Sequence, residues 1–475
     1  MKRLIKSELY KLFKSKFHIA LIILLTVSTI VLTYMSYKEY GRLYDDLRYY
    51  ENFSGEKINS MSAAKIVDET LHQYKGQWSD ETYQRMQEDY LDLISKYPRL
   101  VIDEEAMKRV YGEDYQTIMN KSLAGGLTEN EIEDYMSKVD TGRGGSYFGN
   151  NNGYYHIELY YNEDGVRNLI SLIYSSPYIV GDREASEEFH NTWNEYNKIL
   201  KDGKSIIKNG DSYRAMSSQD LLIQDYLISK AENLPQTFDS VVPNNLLINS
   251  LQRILLVPLF VVVILLANIF GIEKQNGMEE IIYPTVSSKY KITIAKVIVG
   301  TCVGVGVVWL QILVCFIVSY IILPIHTWNI VLTAMASSSI TEYGQAYVPF
   351  TYLILALFGF VLITIGSFIM SLITLLVSYC KKSRFVVVIV MSVLIVFSWF
   401  IKQVSSIPML IKGLMPFNML SFLDYFYGYA NQSIYPYLVV GNIVIPLRIM
   451  AIILWILFGI VAVWMLIRHS RKPIV

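Results

Sequence analysis

Residues that carry chemistry are scarce in this chain. Cys302, Cys315 and Cys380 are its only cysteines, and each falls in or at the end of an apolar run. With none in a polar stretch, neither a disulfide framework nor a cysteine metal site is available, and all three are expected to be small buried apolar residues. The six histidines are scattered, at positions 18, 72, 156, 190, 326 and 469. Glu187 and His190 have half the spacing of a carboxylate metal bundle, but no second copy exists, so a solvated helix face is expected there. No H-E-x-x-H, C-x-x-C, G-x-S-x-G or G-x-x-x-x-G-K-[ST] pattern occurs. These absences exclude the common zinc-protease, dithiol, hydrolase-elbow and phosphate-loop chemistries. The glycine-rich stretch Gly142 to Gly153 lacks the Lys-Ser/Thr ending of a phosphate loop and is expected to be a hinge loop. No catalytic residue, metal ligand or cofactor bound by the chain itself is expected.

Acidic residues are missing from one part of the chain. The 475 residues carry no net charge, yet positions 37–249 hold 22 Lys+Arg against 36 Asp+Glu, and the remainder holds 20 against 6. A net of −14 facing a net of +14 is the segregation of a membrane protein with its basic residues on one side. No carboxylate is evident deep within an apolar run, where an ion-coupled transporter would need one. Arg253 and Arg448 fall at the ends of runs and are expected to snorkel to water. Asn268, Gln311, Ser367 and Ser371 suit hydrogen bonds between spans.

What is present is a series of apolar runs. Residues 1–18 read as a basic amphipathic helix: Leu4, Ile5, Leu9, Leu12, Phe13 and Phe17 fall near one face, and Lys2, Arg3, Lys6, Lys11, Lys14 and Lys16 fill most of the rest. Such a helix suits an anionic membrane surface. A first span follows at 19–36, and no small-residue cleavage site follows it. Further runs lie at 251–270, 292–323, 349–379, 385–401 and 445–467, each meeting or approaching the roughly 20 residues that cross a bilayer. The 292–323 run exceeds that length, so it is expected to be tilted, broken or partly interfacial. Basic residues fall in alternate connections, which places both termini in the cytoplasm.

The polar segment 37–249 is expected to form a mostly α-helical extracytoplasmic domain, with helices at 60–75, 81–96, 104–118, 129–138, 183–200 and 217–231. The fold class is therefore an all-α polytopic membrane protein with six transmembrane helices plus that domain. The 403–441 connection is too apolar for a solvated loop. Re-entrant or interfacial short helices are expected over about 407–440.

Between the second and third spans lies Asn268–Lys296, NIFGIEKQNGMEEIIYPTVSSKYKITIAK. It is too short for a domain, but a short surface helix there, tied to two spans, would act as a lever. The run of Ile269-Phe-Gly-Ile-Glu273, Gly277, Ile281-Ile282-Tyr-Pro284, Ser287-Ser288-Lys289-Tyr-Lys291 and Ala295-Lys296 resembles the cytoplasmic link of type-2 export permeases of ABC transporters. The basic N-terminal helix and Leu414-Met-Pro416-Phe-Asn418 resemble further segments of that family, so the likeness covers the membrane part, about 300 residues. The domain between the first two spans departs from the family's commonest pattern, and subgroups with such an insert include permeases near antimicrobial-peptide export and immunity systems.

The resemblance implies the permease subunit of an ATP-driven exporter. Its partners would be two copies of a separate ABC ATPase that binds the ATP, a second permease, identical or related, and membrane lipids; no nucleic acid is expected. A coupling helix would span about 273–284, with Glu273, Gly277, Glu279, Glu280 and Pro284 engaging the ATPase. Lys6, Lys11, Lys14, Lys289 and Lys291 would hold the membrane surface. Two other classes fit the same sequence: a membrane-anchored sensor or binding protein, and a mechanotransmitting ABC protein, which normally has four spans. An acidic outer domain suggests cationic cargo, but ordinary solubility is the favoured account of it.

Overall fold

A computed structural model describes residues 1–38, 50–77, 79–97, 104–123, 165–174, 237–271, 273, 286–330, 351–381, 383–404 and 437–470, with isolated positions between 219–229 and 411–418. In chain order the described elements begin with α1 (Lys2–Phe13), α2 (Lys16–Lys38), β1 (Tyr50–Glu51), β2 (Lys57–Ile58), α3 (Ser60–His72) and β3 (Gly76–Gln77). Next come α4 (Asp80–Lys96), α5 (Glu104–Tyr111), α6 (Tyr115–Leu123), α7 (Gly165–Tyr174) and β4 (Thr237–Phe238). The remainder is α8 (Val242–Ile254), α9 (Leu256–Leu266), α10 (Val286–Ile322), α11 (Tyr352–Cys380), α12 (Arg384–Gln403), β5 (Tyr437–Val440), β6 (Ile443–Pro446) and α13 (Leu447–Ser470). Among the described residues, six helical stretches are long and apolar enough to cross a membrane: α2, α8–α9 taken together, α10 from Lys289, α11, α12 to Ile401, and α13. The protein is thus a multi-pass membrane protein by its helices.

The chain divides into two compact units. One comprises Met1–Tyr44, Ser60–Gln87 and Ser175–Val475; the other comprises Asp45–Asn59 and Glu88–Tyr174. The polar segment between the first two spans is therefore shared between both units. In the second unit, β1 and β2 pair antiparallel, with Tyr50 opposite Ile58. Their turn is closed by the Asn52 side chain, which accepts from the Ser54 and Glu56 N–H groups, and Gly55 supplies the left-handed residue. Its core is tyrosine-rich: Tyr50, Tyr90, Tyr111, Tyr115 and Tyr174 are all buried beside Met107, Leu169 and Ile170. The helix expected over 104–118 is split in two at Gly112, whose φ of 84° no side-chain-bearing residue adopts cheaply. Helix α7 was not expected from the sequence. The expected helices at 129–138 and 183–200, and the 142–153 loop, lie outside the described residues, as does most of 217–231.

The first unit is a helical bundle around α10. Its 37 residues form one unbroken helix, roughly 55 Å long. Of the expected departures for this long span, a break is therefore ruled out. The described helix reaches beyond the apolar run to Val286 and takes in Lys289 and Lys291, which are good helix formers. Close packing against α11 depends on glycine. A Cβ on Gly304 would lie 1.9 Å from Ser371 Oγ, and one on Gly300 would lie 2.9 Å from Leu375 Cδ2. This Gly-x-x-x-Gly face lets the two backbones approach. The second span starts at Val242, earlier than hydropathy suggests, and its helix is interrupted at Leu255. Pro258 explains the interruption, since it lacks an N–H and crowds the carbonyl of Ile254.

Several polar side chains lie where the sequence did not place them. Gln311 does bridge spans, accepting from Thr29 Oγ1 at 2.8 Å and donating to Thr26 Oγ1 at 3.4 Å. Ser367 and Ser371 instead bond back to Ile363 and Ser367 carbonyls of their own helix. Arg448 does not snorkel. It is buried, with its guanidinium over the rings of Phe358 and Tyr437 at 5.6 and 5.9 Å, because the β5–β6 ribbon covers it. Burial of Cys315 fits expectation, whereas Cys302 and Cys380 are exposed on the bundle surface. The ribbon also replaces helix at 437–440, the final residues of the expected re-entrant segment; most of that segment lies outside the described residues.

Candidate functional site

The chain has only six carboxylates outside 37–249. Two of them, Glu8 and Glu273, meet at one point in the bundle. Helix α1 turns its Ile5–Glu8–Leu12 face inward against α10, with Glu8 only 5% and Leu12 8% exposed. This leaves Leu9, Tyr10 and Phe13 on the outer surface. The inward turn carries Lys11 past Glu8, and its Nζ donates to Glu8 Oε1 at 2.6 Å and to Glu273 Oε1 at 3.3 Å.

Glu273 comes from the exit of α9. Its other oxygen, Oε2, accepts from Lys296 Nζ at 2.7 Å. Lys296 stands on α10, more than one turn inside that span, and is fully buried. Its ammonium also donates to the Ile269 carbonyl at 2.7 Å and lies 5.1 Å from the Phe270 ring centre. The α9 exit is further held by α11: Ser378 Oγ donates to the Ala267 carbonyl at 2.9 Å, and Tyr379 packs edge-on against Phe270 at 5.3 Å. Three elements thus grip the few residues where the chain leaves the second span.

The four charges alternate, Glu8, Lys11, Glu273, Lys296, and sum to zero. Each buried charge has an opposite partner in hydrogen-bond contact, which offsets the cost of taking it from water. Lys11 is the exposed end of the chain, with 48% of its side chain accessible. Burial pulls its pKa down, but the Glu8 and Glu273 carboxylates outweigh that and raise it above the ordinary lysine value. Electrostatically the arrangement is a fastener. It ties the N-terminal helix, the second span and the third span together around Glu273.

Of the residues singled out from the sequence, Glu273 lies within this network. Gly277, Glu279, Glu280 and Pro284 lie outside the described residues. Lys11 was expected at the membrane surface only; its ammonium engages Glu8 and Glu273. Lys6 and Lys14 are exposed on α1, Lys291 is exposed on α10 and Lys289 is half-buried. Glu8 was not anticipated. The one cue to it is that a lone carboxylate interrupts a strongly basic helix three residues before a lysine. Lys296 had been noticed only as the lysine entering the third span.

The bundle also has a laterally open groove of about 780 Å³ between α10, α11 and α13. Apolar side chains line most of it, including Val305, Phe368 and Ile460. Trp309 Nε1 donates to Thr364 Oγ1 at its wall. Among the described residues, no charged side chain lines it. Among the described residues, no cluster of His, Cys, Asp and Glu could hold a metal ion. Comparison with known proteins gives no match: no family model, curated protein or solved structure is detectably similar to the chain.

Proposed function

We propose that the protein is the permease subunit of an ATP-driven ABC exporter of the cytoplasmic membrane. On this proposal both termini and residues 274–285 face the cytoplasm, and much of the polar 37–249 segment faces outward. The observation that carries it is the Glu8–Lys11–Glu273–Lys296 network. A buried, fully paired charge chain at the joint of two spans serves a link that must move as a rigid piece, whereas an ordinary connecting loop needs none. Supporting it are the order of the motifs around that joint and the six spans, with no energy-coupling carboxylate evident at membrane depth. A separate ATPase would press on 273–284, with Glu279, Glu280 and Pro284 at the contact, and the fastener would pass that displacement to α1, α9 and α10. The cargo class that fits the apolar groove is a peptide, antimicrobial or lipid-like compound.

The test is to reconstitute the protein with the ATPase from its own host and measure ATP hydrolysis. Wild type should stimulate hydrolysis. Glu273→Lys, which places a third positive charge between Lys11 and Lys296, should lose the stimulation while the protein still reaches the membrane. Stimulation unchanged by Glu273→Lys would refute the role of this joint.

A further inference from the structure

At the end of the bundle opposite the Glu273 joint, two distant segments converge on α3. Asp68 and His72 lie one turn apart on that helix. Asp239 comes from the link before α8, and His326 from the stretch that follows α10. His72 Nδ1 and Asp239 Oδ1 are 2.6 Å apart, His326 Nε2 and Asp68 Oδ2 are 2.9 Å apart, and the two imidazoles stack with centroids 3.9 Å apart. The result is a four-layer clasp: carboxylate, imidazole, imidazole, carboxylate.

The two carboxylates, both buried, are not equally provided for. Asp239 has the Ser240 N–H at 2.8 Å and the Lys75 ammonium at 3.5 Å in addition to His72. Among the described residues Asp68 has His326 alone: its Oδ1 makes no hydrogen bond, and neither does Asp239 Oδ2, but that oxygen has the Lys75 ammonium beside it. The remaining charged groups of α3, Lys65 and Glu69, are exposed. On α2 and α8, which also pack against α3, Lys38 and Arg253 are likewise exposed. A buried carboxylate with a single partner is strongly favoured when that partner is a cation. Lys75 already supplies a fixed positive charge beside Asp239, so a second one on His72 gains less there. Charging both rings would set like charges 3.9 Å apart; charging His326 alone stacks a cation on a neutral ring, which is attractive.

We propose that His326 is a proton-operated fastener. With its proton on, it holds Asp68, and through it α3, against the far end of the third span; with the proton off, it loosens that hold. The second span is tied to α3 by His72 and Asp239, and these two spans are joined at their other ends by Glu273 and Lys296. Acidity on the α3 side therefore sets how firmly α3 rides on the third span.

The experiment is hydrogen–deuterium exchange of α3 in the purified full-length protein in nanodiscs, near pH 6 and near pH 8.5. These values bracket the range in which histidine changes charge. Rates are corrected for the intrinsic pH dependence of amide exchange. Wild-type α3 should exchange about tenfold faster at the higher pH, the difference between a charge-assisted and a neutral hydrogen bond. His326→Lys, always charged, should be slow at both pH values, and His326→Gln, never charged, fast at both. His72→Gln should keep the wild-type response. No corrected pH effect in wild type, or a wild-type response surviving in His326→Lys or His326→Gln, would overturn the proposal. A response abolished by His72→Gln would overturn it as well. Slowing of exchange by added Zn²⁺ near pH 8.5 would show a metal site instead, and would equally overturn it.

Discussion

Replacing Lys296 with Met removes the ammonium and keeps most of the side-chain volume. Glu273, 3% exposed, then loses its 2.7 Å partner, while Lys11 stays at 3.3 Å. The Ile269 carbonyl loses its donor at the same time. Stranding one member of a buried ion pair costs about 3–5 kcal/mol. Removing both members is different: Glu273→Leu with Lys296→Met leaves no buried charge at the α9 exit and should be near neutral, because the desolvation cost goes along with the attraction. Lys11→Met should cost less, about 1–3 kcal/mol: Glu273 keeps Lys296, but the buried Glu8 loses its 2.6 Å partner. Equilibrium unfolding in mixed micelles measures all three. The expected order is Lys296→Met worst, with the double variant recovering most of the loss. A single variant costing under about 1 kcal/mol, or a double variant no better than the single, would refute the description of these groups as an interdependent buried pair.

Gly304→Ala should destabilise by about 1–3 kcal/mol through overlap with Ser371, and adding Ser371→Gly should relieve it, as read by the same unfolding measurement. Gln311→Leu should cost about 1 kcal/mol by cutting the bridge between the first and third spans, with Thr29→Val in the same background adding little. Lys11 predicts a pH effect. Its folded pKa lies above its ordinary value of 10.5, so its contribution is complete below about 10.5 and is lost as pH rises through the higher folded value. The stability difference between wild type and Lys11→Met should therefore be constant near neutrality and close in strong alkali.

Hydropathy was enough to find the six long helices, because each is apolar over a full bilayer width. It misjudged ends where polar side chains are satisfied inside the bundle. The first turns of α8 carry Asn244 and Asn245, which read as loop. In the structure Asn244 donates to the Thr327 carbonyl and Asn245 accepts from the Tyr352 hydroxyl. Glu273 was singled out only by the resemblance of the link around it to that of a permease family. Its bond to Lys11 spans 262 positions, and no local pattern reports a contact at that separation. The His72–His326 stack was hidden for the same reason: the two rings come from opposite sides of the second and third spans in sequence and meet only through the fold.

The central claim is that energy enters through the segment after Glu273 from a separate ATP-binding subunit. Its most direct measurement is photocrosslinking in the native host, with a photoreactive amino acid at position 279 or 280 and, as control, at exposed Lys121. The account predicts one adduct from 279 or 280, absent from 121, whose captured partner is labelled by a photoreactive ATP analogue. Efficient incorporation with no adduct, or an adduct whose partner does not bind ATP, would contradict it.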